Sequence, residues 1–185
     1  FYAKNFRGGT VSLKLKDDFS LDWSQLNILS TRDDIGLIIL CSPNNPTGNT
    51  IDFSQLEELL SYSDKPILLD EAYWEFSGKT KVDLVKEFSN LIITRTFSKS
   101  FSMAGLRLGY LAADRSLVKR LEQFRSPYNT NSFSQEIACL VLDSVDLFQK
   151  QWEKIRKNRD KLYTELEGLK GVTPYPSTAN FITFN

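Results

Sequence analysis

Three short apolar runs constrain this chain more than any other feature. They are Ile35–Cys41, Pro66–Asp70 and Leu91–Thr94, and none of them alternates with polar residues. A strand with one wet face would alternate, so runs of this kind predict strands buried on both faces, as in a parallel sheet. The segments between them carry helix signals. Asp52-Phe53-Ser54-Gln55 has the form of a capping box, and Phe53, Leu56, Leu59 and Leu60 follow at helical spacing. Strand, helix and strand in repetition predict right-handed crossovers and an α/β fold in three layers, with a mostly parallel sheet covered on both sides. A fourth short strand is expected at Leu108–Ala112.

Past Ala113 the pattern turns helical. Asp114 is placed to cap a helix with Leu117, Leu121 and Phe124 on one face, and Ser132-Phe133-Ser134-Gln135 reads as a second capping box, opening a helix through Ile137, Leu140, Val141 and Val145. From Phe148 to Leu169 apolar residues recur at close to helical spacing, which predicts one long amphipathic helix ended by Gly168 and Gly171. Its polar face holds several Lys and Arg, but lysine plus arginine and aspartate plus glutamate are 23 each. A neutral chain argues for a solvated face rather than a nucleic-acid surface. A strand-like segment follows from Val172, broken by Pro174 and Pro176, and Asn180–Asn185 reads as a strand cut in mid-course. The chain opens on Phe1 without a charged start or apolar stretch, and is expected to be a piece of a longer protein rather than a natural start.

Several chemistries are excluded by residue type. The chain has no histidine, which removes Ser-His-Asp and Cys-His catalysis and histidine metal ligation. Its two cysteines, Cys41 and Cys139, are far apart in sequence and form no CxxC, so no metal site and no disulfide framework is expected. Both are read as buried, reduced thiols. No apolar run approaches the roughly 18 residues of a membrane span, so no membrane partner is expected, and the cytoplasm is the expected compartment.

Ligands of open parallel sheets bind at the carboxyl ends of the strands. The first apolar run leads into Ser42-Pro43-Asn44-Asn45-Pro46-Thr47-Gly48, the second into Asp70-Glu71-Ala72-Tyr73, and the third into Arg95-Thr96-Phe97-Ser98-Lys99-Ser100, with Arg107 eight positions after the lysine. Each piece alone has a plain reading: Asn-Pro-Thr-Gly as a tight turn, Asp70 as a helix cap, Ser98-Lys99-Ser100 as a polar loop. Taken in order they match the needs of pyridoxal phosphate. A lysine at a buried strand end can form a Schiff base. Hydroxyls and an arginine suit a phosphate. A carboxylate can hold a ring nitrogen protonated, and an amide and a phenol can bond a ring oxygen.

On Ser42–Gly48, Leu68–Phe76 and above all Thr94–Tyr110, the chain resembles the fold-type I pyridoxal-phosphate aminotransferases. Arg125–Asn131 followed by Gln135 is similar to the histidinol-phosphate branch of that family. The resemblance implies the large domain of a PLP-dependent transferase over 1–146, and over 147–185 an interdomain helix and the first strand of a smaller C-terminal domain. It implies pyridoxal 5'-phosphate as cofactor and a transaminase mechanism of the Schiff-base, ping-pong kind. Lys99 would carry the cofactor and move the substrate's α-proton, and Asp70 would pair with the ring nitrogen. Asn45 and Tyr73 would bond the phenolic oxygen, and Ser98 and Arg107, with Thr96 a weaker candidate, would bind the phosphate. Glu71 and Arg95 would be structural, and Tyr110 core. The implied reaction converts L-histidinol phosphate and 2-oxoglutarate to imidazole-acetol phosphate and L-glutamate. A homodimer is implied, with the loop from Ser126 to Ser132 and its Tyr128 at the subunit interface. The family's phosphate loop, ring-stacking aromatic and carboxylate-binding arginine are expected outside this stretch, so the chain alone would be inactive. Threonine-phosphate decarboxylase, another amino-acid transaminase, and the effector-binding module of a transcription regulator are alternatives built on the same framework.

Overall fold

The computed structural model describes residue 5 and residues 8–185; Phe1, on which the reading of the chain's start rests, lies outside the described residues. Helix α1 (Trp23–Ser30) starts at Asp22, whose side chain accepts the Gln25 N–H. It leads into strand β1 (Ile38–Cys41). Helix α2 (Phe53–Tyr62) is capped by Asp52, which accepts from Ser54 N and Gln55 N at 2.8 and 3.3 Å. Only that half of the expected capping box forms: the Gln55 side chain turns forward to Glu58, 3.2 Å away. Strand β2 (Ile67–Asp70) lies parallel to β1, and β3 (Leu91–Thr96) lies parallel to β2. The register aligns Cys41, Asp70 and Thr94 across the three strands. Strand β4 (Gly109–Ala113) closes the order β1-β2-β3-β4 as an antiparallel neighbour of β3. Gly109 is needed there: a Cβ would stand 2.7 Å from the Arg95 carbonyl oxygen.

The β2–β3 connection differs from a regular crossover. It holds only a four-residue helix, α3 (Trp74–Ser77), stopped by Gly78 at φ 68°, and a 3-10 turn over Val82–Lys86. Helix α4 (Arg115–Glu122) is capped by Asp114, as expected. Helix α5 (Ser132–Asp143) is capped by Asn131, one residue before the expected box, because the Asn131 side chain accepts from Ser134 N at 2.8 Å. Ser134 is thereby freed to face inward, buried, and donates to the Leu106 carbonyl at 2.9 Å. Helix α6 (Val145–Glu167) runs 23 residues and stops at Gly168. The two strand-like stretches after it pair with each other. Tyr175 N donates to Thr183 O at 2.8 Å, and Pro174 and Phe184 form one antiparallel bridge.

Two cores result. In the first, Ile38, Leu40, Ile67, Leu69, Leu91 and Ile93 form one sheet face against α1 and α2. Each such side chain, fully buried, contributes about 1.5–3 kcal/mol. In the second, Tyr73, Phe76, Phe97, Phe101 and Trp152 join α3, the loop after β3 and α6. The expectation of strands buried on both faces holds only in part. On the face opposite the first core Ile39 is 63% exposed and Leu111 borders an open cavity lined by Val118 and Leu121 of α4, whereas Ile92 on the same face is buried. Strand alternation puts Asp70 and Thr94 on this same open face. Cys139 corrects another expectation: it lies exposed on α5, whose buried face is Ser134, Ala138 and Val141. Tyr110 is also exposed rather than core, at the sheet edge, its ring 5.9 Å from Phe97. No described helix is long and apolar enough to cross a membrane.

Candidate active site

The parallel register makes the site. Cys41, Asp70 and Thr94 stand side by side at the carboxyl end of the sheet, so the chains that continue from them enter one region. From β1 the chain passes into the Asn44–Gly48 turn, closed by Gly48 N on Asn44 O at 2.7 Å. Asn44 donates to Thr47 Oγ1 at 2.7 Å. That leaves the next residue, Asn45, to reach across. Its amide donates to the Tyr73 hydroxyl at 2.9 Å, and so joins the loops after β1 and β2. The Lys99 ammonium, from the loop after β3, stands 5.6 Å from the centre of the Tyr73 ring. Three loops thus converge on one phenol. Lys99 itself is exposed, on the loop that follows the buried strand β3.

Asp70 is half-buried on the open sheet face. One carboxylate oxygen accepts from Ala72 N at 3.1 Å and from Thr94 Oγ1 at 3.3 Å. The other faces the Cys41 thiol, with Sγ at 3.9 Å. Burial, aided by the Asp70 charge, pushes the Cys41 thiol up to about 11, so it stands protonated beside the carboxylate. The sequence marks Cys41 only as a thiol and Thr94 only as a strand end; the register makes them the flanks of Asp70.

Thr96 serves its own loop. Its hydroxyl accepts from Ser98 N at 3.1 Å and lies 3.5 Å from the Leu108 carbonyl. Ser98 is half-buried, and Arg107 is exposed at φ 52°, its guanidinium donating to Ala104 O at 3.0 Å. No hydrogen bond joins Ser98 to Arg107 among the described residues, so these two are near in sequence but not tied together. Glu71 and Arg95, expected to be structural, form a buried pair at 2.8 Å. Glu71 also accepts from Thr80 Oγ1 at 2.7 Å and Lys81 N at 2.8 Å, while Arg95 stacks 4.2 Å over the Trp74 ring. All their bonding is turned inward, which pins the short β2–β3 connection. The tail closes one side of the site: Phe181 meets the Tyr73 ring edge-on at 5.2 Å.

The donor set fits pyridoxal phosphate. An amide and a phenol form one oxygen-binding pair. A carboxylate with a free lone pair stands at the adjacent strand end. A primary amine is open to solvent on the loop after β3, with the Ser98 hydroxyl next to it in sequence and the exposed Arg107 eight residues on. Among the described residues no three His, Cys, Asp or Glu side chains gather as a metal site.

Comparison with known proteins agrees with this geometry. The family described as aminotransferase class I and II matches residues 2–185. Histidinol-phosphate aminotransferase 1 of Carboxydothermus hydrogenoformans is 44% identical over 167 residues, which is 90% of this chain and 47% of that protein. Among solved structures, histidinol-phosphate aminotransferase from Clostridium acetobutylicum is similar with a TM-score of 0.83 at 27% identity, over 97% of this chain and 56% of that one. The L-threonine-O-3-phosphate decarboxylase of Porphyromonas gingivalis is similar with a TM-score of 0.71 at 28% identity, over 81% of this chain and 49% of that one. The chain spans about half the length of the curated relatives it matches. A family match over nearly every residue, meeting strand ends arranged in this way, leads to one statement: the chain belongs to the class I and II aminotransferases.

Proposed function

We propose that the full-length protein is a pyridoxal 5'-phosphate-dependent aminotransferase of histidine biosynthesis, which transfers the amino group of L-histidinol phosphate to 2-oxoglutarate. The observation that carries this reading is the meeting of Asn45, Tyr73 and Lys99, with Asp70 at the neighbouring strand end. The bound cofactor supplies an electron sink for charge developing at the substrate's α-carbon. Every other task falls to the chain. Asn45 and Tyr73 hold the ring oxygen. Asp70, oriented by Ala72 N and Thr94, keeps the proton on the ring nitrogen by charge pairing. Lys99 holds the cofactor, then takes and returns the proton at the α-carbon. Ser98 and Arg107 bind the phosphate, and Thr96 sets the loop that presents Ser98. Phe181 keeps water from one edge of Tyr73.

In this reading residues 1–146 are part of the cofactor-binding domain, and 147–185 begin a smaller one. The protein works in the cytoplasm as a homodimer, with small-molecule substrates and neither nucleic acid nor membrane as partner. A second reading, decarboxylation of threonine phosphate, draws on the likeness to the P. gingivalis decarboxylase. The test offers the full-length protein L-histidinol phosphate with 2-oxoglutarate, and threonine phosphate separately. Glutamate formed from the first pair is the expected result. Carbon dioxide from threonine phosphate, with no glutamate from histidinol phosphate, would overturn the aminotransferase reading in favour of the decarboxylase.

A further inference from the structure

Directly behind the lysine loop lies a buried acid that the reaction does not use. Glu75 is 3% exposed and Ser100 is 5% exposed. Neither Glu75 Oε2 nor Ser100 Oγ has a hydrogen-bond partner within bonding distance among the described residues, although the two side chains face each other. Buried polar groups without partners are rare and costly, and they concentrate where function requires them.

The placement says what this pair could do. Residues 99 and 100 dock on residues 73 to 75 at two points. The Lys99 ammonium lies over the Tyr73 ring, and the Ser100 hydroxyl faces the Glu75 carboxyl. A third contact holds the same spot from α6: Trp152 Nε1 donates to the Ser100 carbonyl at 2.8 Å. Ser100 is therefore gripped at its backbone by one element and faced at its side chain by another, and the residue before it is the lysine. We propose that Glu75 is a positioning residue for Lys99, acting through Ser100. This rests on the proposed role of Lys99 as the cofactor's anchor.

The charged groups around Glu75 are Arg95 from β3, Glu71 from the end of β2, and Arg156 from α6, whose guanidinium lies 3.5 Å from the Glu75 backbone oxygen. Burial outweighs them and pushes the Glu75 carboxyl up to about 7. Below that point the carboxyl is neutral and can donate to Ser100 Oγ; above it the carboxylate can only accept, so Ser100 must turn its own proton toward it. Either way Glu75 is the side chain that faces Ser100, while the charge behind the loop changes.

The experiment uses full-length protein loaded with pyridoxal 5'-phosphate, with Glu75→Gln and Ser100→Ala as separate variants. Borohydride reduction followed by peptide mapping first asks whether the cofactor sits on Lys99. The pH titration of the cofactor's absorbance and the split between kcat and KM then report on its positioning. The expected result is cofactor on Lys99 in all three proteins, a displaced absorbance midpoint in Glu75→Gln, and kcat lowered about tenfold in both variants with KM nearly unchanged, as a small misplacement of a reacting group produces. If Glu75→Gln does not fold, Ser100→Ala decides by the kcat criterion. Wild-type titration and kcat in the folded variants, with the cofactor still on Lys99, would overturn the Glu75 proposal alone. Failure to find cofactor on Lys99 in the unmodified protein would overturn the functional reading and this proposal with it.

Discussion

At the Asp70 carboxylate the neighbours do more than hold it in place. Ala72 N and Thr94 Oγ1 satisfy one oxygen, and only a weak thiol contact reaches the other, so a lone pair stays free to face a ring nitrogen. Asp70→Ala in the full-length protein is expected to lower turnover by about a hundredfold or more, the scale seen when an electrostatic partner of the transition state is removed. Steady-state assay of the folded variant checks this; near-normal turnover would reduce Asp70 to a brace of the turn at Ala72. Glu71 is a contrasting carboxylate. It is fully enclosed, and Arg95 would be left as an uncompensated buried charge without it. Glu71→Ala is expected to cost about 3–5 kcal/mol of stability, read by urea unfolding, and a loss under about 1 kcal/mol would contradict the role given to the pair. Glu75 adds a pH dependence with a definite sign. Its folded-state carboxyl titrates near 7, above the ordinary carboxylate range, so the native state holds a proton that the unfolded state has released. The stabilisation this gives is greatest in mild acid and is lost as the pH rises towards 7. Glu75→Gln should flatten that slope in thermal melts between about pH 5 and about pH 8; an unchanged slope would assign it to other groups.

Among the elements, the turn after β1 carries the tightest steric requirement. Gly48 has φ 77°, and a Cβ on it would overlap the Ser177 side chain of the tail. Its carbonyl accepts from both Thr178 N at 2.8 Å and Thr178 Oγ1 at 3.1 Å. Gly48→Ala thus strains a left-handed residue and lifts the tail from the turn that holds Asn45. It is expected to cost about 1–3 kcal/mol and to raise amide exchange at Thr178, and an unaltered exchange rate there would refute the coupling. The sequence made the elements of this region legible but not their joining. Apolar runs without alternation marked β1, β2 and β3, and Asp52 and Asp114 marked two helix starts, because these signals are local. Motif order and likeness assign Asn45, Tyr73 and Lys99 to one cofactor, and the structure brings the three together. Cys41 and Thr94 beside Asp70, Phe181 on Tyr73, and the Glu75–Ser100 pair were not legible, since each depends on register or on packing between distant segments. The exposed Cys139 and Tyr110 depart from the sequence expectation for a related reason. An apolar run says that a residue can be buried, not which face of its helix or strand meets a neighbour.

For the whole molecule, the distribution of exposed apolar area points to contacts beyond this stretch of chain. The stretch from Phe124 to Phe133 spans the α4–α5 connection and the start of α5. Phe124 is 88% exposed, Tyr128 92% and Phe133 69%, while Asn129, Thr130 and Asn131 lie between them. Aromatic side chains among short polar ones are the composition of an interface centre, and a solvated connection has no physical use for three bare rings. Asn131 is committed to capping α5 and Gln135 to the Thr130 carbonyl at 3.1 Å, so the backbone here is held while the rings are presented. In a closed dimer the same patch on both subunits would meet its copy or the partner's site. Tyr128 suits such a place, with a broad apolar ring and one hydroxyl for a hydrogen bond. Tyr128→Ala touches nothing buried within the chain, so the fold should be kept, as near-ultraviolet circular dichroism would register. In the proposed homodimer the dissociation constant should rise by about thirtyfold or more, the effect of truncating an aromatic at the centre of an interface, with weaker cofactor retention alongside. Sedimentation equilibrium of the full-length protein measures it. A variant that dimerises and holds cofactor like the original would show that Tyr128 stands in solvent in the assembled protein, and that the interface lies elsewhere.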